Sequence, residues 1–243
     1  PEHTGTILIY WQSVYQFNND MDFYLDEVTM TGVAKTADKD AGVPDLSTGL
    51  VKGKIGNPIM TSRLTADPWA MEYNGRVYVY GTNDSQQYEA AANADNNYSK
   101  IKSLNCYSSA DMVNWTDHGT VLSRDNFKWM DTKDPRAWAP QCVERNGKFY
   151  MYVPVHKKNG GMVIGVGVSD KATGPFVDAI GKPLVDEGDW NDIDPTVFID
   201  DDGQAYLYFG NPSLRYVKLN EDMLSYDTTI GKKGVVSLDM NES

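Results

Sequence analysis

Short runs in which aromatic and β-branched residues alternate with polar ones fill most of the chain, as in Arg76-Val77-Tyr78-Val79-Tyr80, and Asn-Gly, Asp-Gly or Lys-Gly pairs bound them. A period of two sends successive side chains to opposite faces, so these runs predict β-strands with at least one buried face. Helical periodicity is nearly absent. The segment from Gln86 to Lys102 contains Glu89-Ala-Ala-Ala-Asn-Ala but no apolar stripe, and it is read as a loop.

The strand pattern repeats. Asp67-Pro-Trp-Ala-Met-Glu-Tyr-Asn-Gly-Arg-Val-Tyr-Val-Tyr80, Ala139-Pro-Gln-Cys-Val-Glu-Arg-Asn-Gly-Lys-Phe-Tyr-Met-Tyr152 and Asp194-Pro-Thr-Val-Phe-Ile-Asp-Asp-Asp-Gly-Gln-Ala-Tyr-Leu-Tyr208 share one plan. A small or acidic residue and a Pro open a strand, a Gly-containing turn reverses it, and Tyr-x-Tyr marks the return. Further strand-like material follows each hairpin, in the second unit over Val163 to Ser169 and Phe176 to Val185, which makes about four strands and about 64 residues per unit. The expected fold class is all-β, with about three four-stranded blades of a β-propeller across residues 56–243. A propeller needs at least four blades to close, so the remaining blades are expected from downstream sequence or another chain. Residues 1–32 alternate like edge strands, in Thr6-Ile-Leu-Ile-Tyr-Trp and Asp22-Phe-Tyr-Leu-Asp-Glu-Val, and resemble the closing strands of a β-sandwich carbohydrate-binding module. Residues 33–55, rich in Gly, Lys and Asp, are expected to be a linker.

Composition narrows the partners. Of 243 residues, 41% are hydrophobic, ample for a core, and 22 Lys+Arg against 34 Asp+Glu give a net charge of −12. A binder of nucleic acid held by phosphate contacts needs basic surface, so none is expected. No apolar run approaches the roughly 20 residues of a membrane-spanning helix, and no membrane partner is expected. Cys106 and Cys142 are too few for a disulfide framework and are expected to be core thiols. The chain opens Pro1-Glu2-His3-Thr4, with neither a signal peptide nor a natural start, which predicts a piece of a longer protein.

Asp67 and Asp194 open strands at the same place in the first and third units, and the first strand of a blade lines the central axis of a propeller. They are therefore expected to converge on one pocket, as carboxylates that perturb each other's pKa and serve acid/base chemistry on a glycosidic bond. Ala139 holds the place in the second unit, so the hairpin itself does not need the acid. The competing reading is that Asp-Pro is simply a good strand-opening pair.

Thr65-Ala-Asp-Pro-Trp-Ala, Trp138-Ala-Pro-Gln-Cys-Val-Glu-Arg-Asn-Gly and Asp192-Ile-Asp-Pro-Thr-Val-Phe-Ile-Asp-Asp-Asp-Gly resemble glycoside hydrolase family 43, from about Asn57 to Leu224 and in the right order. The likeness is greatest to its β-xylosidase and α-L-arabinofuranosidase members. It implies a five-bladed propeller, inverting chemistry, and a plant cell-wall partner such as arabinoxylan, xylan or their oligosaccharides. It also implies a secreted or cell-surface, bacterial protein. Asp67 matches the family's general base and Asp194 the aspartate that orients the acid and tunes its pKa. The third carboxylate, a Glu in a Glu-Gly-Pro strand, has no match: Glu187 and Glu242 lack that context. The acid is therefore expected beyond Ser243 and this chain alone is expected to be inactive, with a non-catalytic sugar-binding propeller as the alternative.

Aromatic faces stack on sugar rings. Trp69, Trp138 and Trp190 are the candidates, each with packing or a surface loop as its other reading, and Trp138 is favoured because the family's Trp-Ala-Pro strand faces the pocket. His156 could point there too, although a lone His is more often structural. No cofactor is required and no metal ligands are assigned; a structural calcium is possible by resemblance. Asp200-Asp201-Asp202-Gly203 lacks the alternating ligands of an EF-hand and is read as a solvated hairpin tip.

Overall fold

A computed structural model describes residues 60–90, 98–131, 133–134, 136–158 and 160–238. The expected sandwich strands of 1–32 and the linker of 33–55 lie outside the described residues. Those described form three four-stranded antiparallel sheets, each built from strands consecutive in the chain. The first comprises β1 (Trp69–Tyr73), β2 (Arg76–Thr82), β3 (Ser103–Ser109) and β4 (Thr116–Ser123). β5 (Gln141–Arg145), β6 (Lys148–His156), β7 (Met162–Ser169) and β8 (Val177–Asp178) make the second. The third contains β9 (Thr196–Ile199), β10 (Ala205–Phe209), β11 (Arg215–Lys218) and β12 (Val235–Ser237). The all-β fold of three blade-like sheets expected from the repeat is the fold observed.

The opening hairpins owe their register to their turns. Asn74 and Gly75 have φ of 51° and 73°, and Asn146 and Gly147 have 55° and 76°. Two consecutive left-handed residues make the turn whose twist matches a two-residue hairpin, and Asn-Gly is the pair that tolerates it best. Glu72 and Glu144 complete the same device: each carboxylate accepts the amide of the turn glycine, at 2.8 Å and 2.6 Å.

The second sheet is buried on both faces, and β6 shows why. Phe149, Met151, Val153 and Val155 enter a core shared with Tyr78, Tyr80 and Cys106 of the first sheet. Their alternates Tyr150 and Tyr152 enter a separate core with Leu207, Phe209 and Val217 of the third. One strand thus serves two cores, which makes its sequence a nearly unbroken apolar run. Cys106 and Cys142 are free and buried, as expected.

The second tyrosine of Tyr-x-Tyr joins each sheet to the next. The Tyr80 hydroxyl donates to the Ala172 carbonyl at 2.8 Å, and Tyr152 donates to that of Met223 at 2.9 Å. Tyr208 is the corresponding residue of the third sheet. It is half-buried, on the face away from the second sheet, with its ring 5.6 Å from that of Tyr216. Phe198 is 53% exposed on that face.

Two expectations need correction. Ser85–Ala90 is a short α-helix, α1, that runs into the segment Gln86 to Lys102 expected to be a loop. Its anchors are polar: the Gln87 side-chain carbonyl accepts Lys100 N at 3.0 Å and that of Gln86 accepts Lys102 N at 2.9 Å. Gln87 is buried, and such anchoring leaves no hydrophobic period to read. The fourth strand of the second unit, expected over Phe176 to Val185, is only Val177–Asp178, with Val185 forming an isolated bridge to Ile164.

Tyr80→Phe and Tyr152→Phe should each lower the unfolding free energy by about 1–2 kcal/mol, because each strands a buried carbonyl. Chemical denaturation of the two variants and their combination should show near-additive losses, since the bonds lie in different interfaces.

Candidate active site

Asp67 and Asp194 are held alike. In the hairpin registers Trp69 pairs with Tyr80 and Thr196 with Tyr208, so two residues further out Asp67 faces Thr82 and Asp194 faces Gly210. Thr82 N donates to the Ala66 carbonyl at 3.1 Å and Gly210 N to that of Ile193 at 2.8 Å. Both aspartates adopt the left-handed region, with φ of 48° and 55°. This conformation is uncommon for a non-glycine residue, and about 1–3 kcal/mol of strain accompanies each instance. Ala139, at the same place in the second hairpin, is not in that region. Its partner is Pro154, which has no N–H to give; Trp138 N instead donates to the Pro154 carbonyl at 3.0 Å.

Gly81 brings the strand opening against β2. A Cβ there would lie 2.4 Å from the Thr65 side chain and 2.9 Å from the Ala66 carbonyl oxygen. The paired backbone continues through Asp84 N, which donates to the Leu64 carbonyl at 3.0 Å. Thr82 Oγ1 lies 2.9 Å from Asp84 Oδ1 and 3.0 Å from the Ala66 carbonyl, which share its one proton. Asp84 thus joins the group that holds Asp67.

Burial and neighbouring carboxylates act on Asp67. Asp67 is open to solvent but recessed among protein atoms, and loss of hydration, then the negative charges of Asp84 and Asp194, push its pKa up to about 6. Burial also raises Asp194, opposed by the Asn211 amide that donates to its Oδ2 at 3.3 Å. Asp84 is raised by burial against its Thr82 hydrogen bond. The structure therefore brings the two expected aspartates into one electrostatic group.

The aromatic candidates divide. Trp69 packs against the core between the first two sheets, with Nε1 donating to the Cys142 carbonyl at 2.9 Å, so the packing reading describes its position. Trp138, Trp190 and His156 instead gather around Arg136. The Arg136 guanidinium lies 5.5 Å from the Trp138 ring centre and 5.0 Å from that of Trp190, within cation–π range. The Trp190 ring is also 5.1 Å from that of His156. Trp190 is 48% exposed and offers surface to a ligand, whereas His156 is buried with Nδ1 3.7 Å from Asp131 and 3.8 Å from Asp134. Those separations exceed a hydrogen bond.

Residues 55–238 match Glycosyl hydrolases family 43. The chain belongs to that family. Among its relatives, an arabinoxylan arabinofuranohydrolase of Bacillus subtilis is 37% identical over 206 residues, covering 70% of this chain and 38% of its own. A xylosidase/arabinosidase of Humicola insolens is 38% identical over 163 residues, covering 63% of this chain and 45% of its own. A family 43 β-xylosidase/α-arabinofuranosidase from a compost microbial metagenome, solved with xylotriose in a calcium-free form, superposes with a TM-score of 0.63 at 28% identity. That superposition covers 76% of this chain and 62% of the other. The chain thus spans less than half the length of both enzyme sequences, and its three sheets are blades of the family 43 propeller.

Among the described residues no group of three or more His, Cys, Asp or Glu side chains is placed to hold a metal ion, so the calcium allowed by resemblance finds no ligand set there. The Asp200-Asp201-Asp202 tip is exposed. Sequence reasoning missed Asp84 and Arg136. The Thr-x-Asp that ends the Tyr-x-Tyr return strand could have pointed to Asp84; nothing in the local pattern marks Arg136.

Asp84→Asn removes one of the two charges that oppose ionisation of Asp67. The Asp67 midpoint, followed by carboxyl-carbon NMR, should fall from about 6 toward the ordinary 3.8. An unmoved midpoint would discount Asp84.

Proposed function

We propose that this chain carries the base and the pKa-tuning aspartate of an inverting glycoside hydrolase that releases arabinose or xylose from arabinoxylan or xylo-oligosaccharides. The observation that carries the reading is that the two strained, left-handed strand openings are the two that bear carboxylates, while the unstrained one bears alanine. Strain held at solvent-open acids is what a reacting site retains and a packing site sheds. The names of the arabinofuranohydrolase and xylosidase relatives supply the substrate class.

In this reading Asp67, as carboxylate, takes a proton from the water that attacks the anomeric carbon opposite the leaving sugar. Asp194 orients the general acid and tunes its pKa. In an inverting enzyme about 6.5–9.5 Å separates acid from base, which leaves room for the water. The acid belongs to the sequence after Ser243, with the blades that complete a five-bladed ring on the Phe198 and Tyr208 face of the third sheet. Trp138 and Trp190 offer ring surface to the sugar. The upstream 1–32 segment serves as the end of a carbohydrate-binding module, and the protein acts outside the cell without a cofactor.

Aryl β-xyloside and aryl α-arabinofuranoside should be hydrolysed by the chain joined to its natural downstream sequence and not by the 243-residue chain alone. Activity of neither would favour a sugar-binding propeller, a reading supported by the lack of a matching Glu-Gly-Pro strand. In the active form Asp67→Asn should nearly abolish turnover and leave sugar binding within a few-fold; unchanged hydrolysis would remove Asp67 as the base.

The pH profile carries a second check. Asp67 works only when ionised, and its pKa is raised to about 6, so kcat/KM should fall as pH drops through 6, about tenfold per unit on the acid side.

A further inference from the structure

The segment that delivers Asp194 also carries Trp190, and one arginine from another part of the third sheet grips it. Arg215, on β11, donates from Nη2 to Asp189 Oδ2 at 3.0 Å and from Nη1 to Asp192 Oδ1 at 3.4 Å. Its side chain is 13% exposed, and Asp192 is fully buried. Around this fork the segment folds on itself: Glu187 N donates to Asp192 Oδ2 at 2.6 Å and Asn191 N to Asp189 Oδ1 at 2.7 Å. Met162 N holds the Asp189 carbonyl at 3.1 Å. Trp190 lies between the two gripped aspartates in sequence, and Asp194 follows two residues after the second.

We propose that Arg215 is a positioning residue of the site, its two guanidinium nitrogens fixing Asp189 and Asp192 so that Trp190 meets Arg136 and His156 and Asp194 enters at its left-handed turn. The inference rests on the reading of Trp190 and Asp194 given above. A planar fork with two donors suits this role because it fixes direction as well as distance, which an ammonium group does not. Displacement of a positioned group by about 1 Å can lower a rate about 100-fold, so a loosened grip should be visible in turnover.

The test uses the protein with its downstream sequence and three variants. Arg215→Lys keeps a charge opposite Asp192 but cannot bridge both carboxylates. Asp189→Ala opens the half-exposed arm alone. The double variant Arg215→Met with Asp192→Asn leaves no buried unpaired charge, which guards against simple unfolding. Readouts are the indole N–H resonance of Trp190, assigned with Trp190→Phe, and the separate kcat and KM for an arabinoxylan oligosaccharide.

All three variants should shift or broaden the Trp190 resonance, leave that of Trp115, which is buried at 3% exposure, in place, and lower kcat and raise KM, each about tenfold or more. A folded variant with the wild-type Trp190 resonance and wild-type KM would overturn the proposal, above all if the double variant restored both. If the wild-type protein hydrolysed nothing, the functional reading would fail, and the Trp190 resonance would by itself decide whether Arg215 fixes the segment.

Discussion

The hydrogen bond that runs from the end of each return strand to the carbonyl before an aspartate, Thr82 to Ala66 and Gly210 to Ile193, is the constraint on which the site depends. It closes the mouth of the hairpin and accompanies the left-handed conformation of the next residue, so the acid leaves the strand direction at a fixed angle. The second hairpin shows what happens without it. Pro154 offers no N–H, the pairing is made through Trp138 N instead, and the residue at the turn is alanine. The identity of one residue on the return strand thus separates the hairpins that present an acid from the one that extends the ladder.

The electrostatics follow from that placement. Asp67 reaches solvent while protein surrounds it, so its hydration is reduced without being lost, and Asp84 and Asp194 add their charge. The charges that act on Asp67 are those of two carboxylates, whereas Asp189 and Asp117 are held low by hydrogen bonds and by arginines. In a chain of net charge −12, the distribution of arginines matters more than the total. At the strand openings burial is the leading cause for both acids, and the charges of Asp84 and Asp194 add to it at Asp67.

Much of this is legible in the sequence. Asn-Gly between alternating runs marks a hairpin because few other pairs accept two left-handed residues, and in the first two sheets the second ring of Tyr-x-Tyr fills an interface while its hydroxyl ties it. The equivalence of Asp67 and Asp194 followed from the repeat. What was not legible depends on contacts remote in sequence. Arg136 meets Trp190 from 54 residues away in sequence (190 − 136), and Arg215 reaches Asp189 and Asp192 across 26 and 23 residues. The helix Ser85–Ala90 escaped because two glutamine side chains bonded to backbone hold it, and a hydrophobic period does not register such bonds. Trp69 illustrates the reverse difficulty. It stands beside an acid in sequence, yet its indole N–H reaches across to Cys142.

The direction of the tyrosine bonds bears on how such a chain assembles as it is synthesised. Tyr80 awaits Ala172 and Tyr152 awaits Met223, so each acceptor emerges later than its donor. In multidomain chains the N-terminal domain generally folds first during synthesis. The first two sheets therefore each present a phenol to an acceptor that the chain supplies only later in translation.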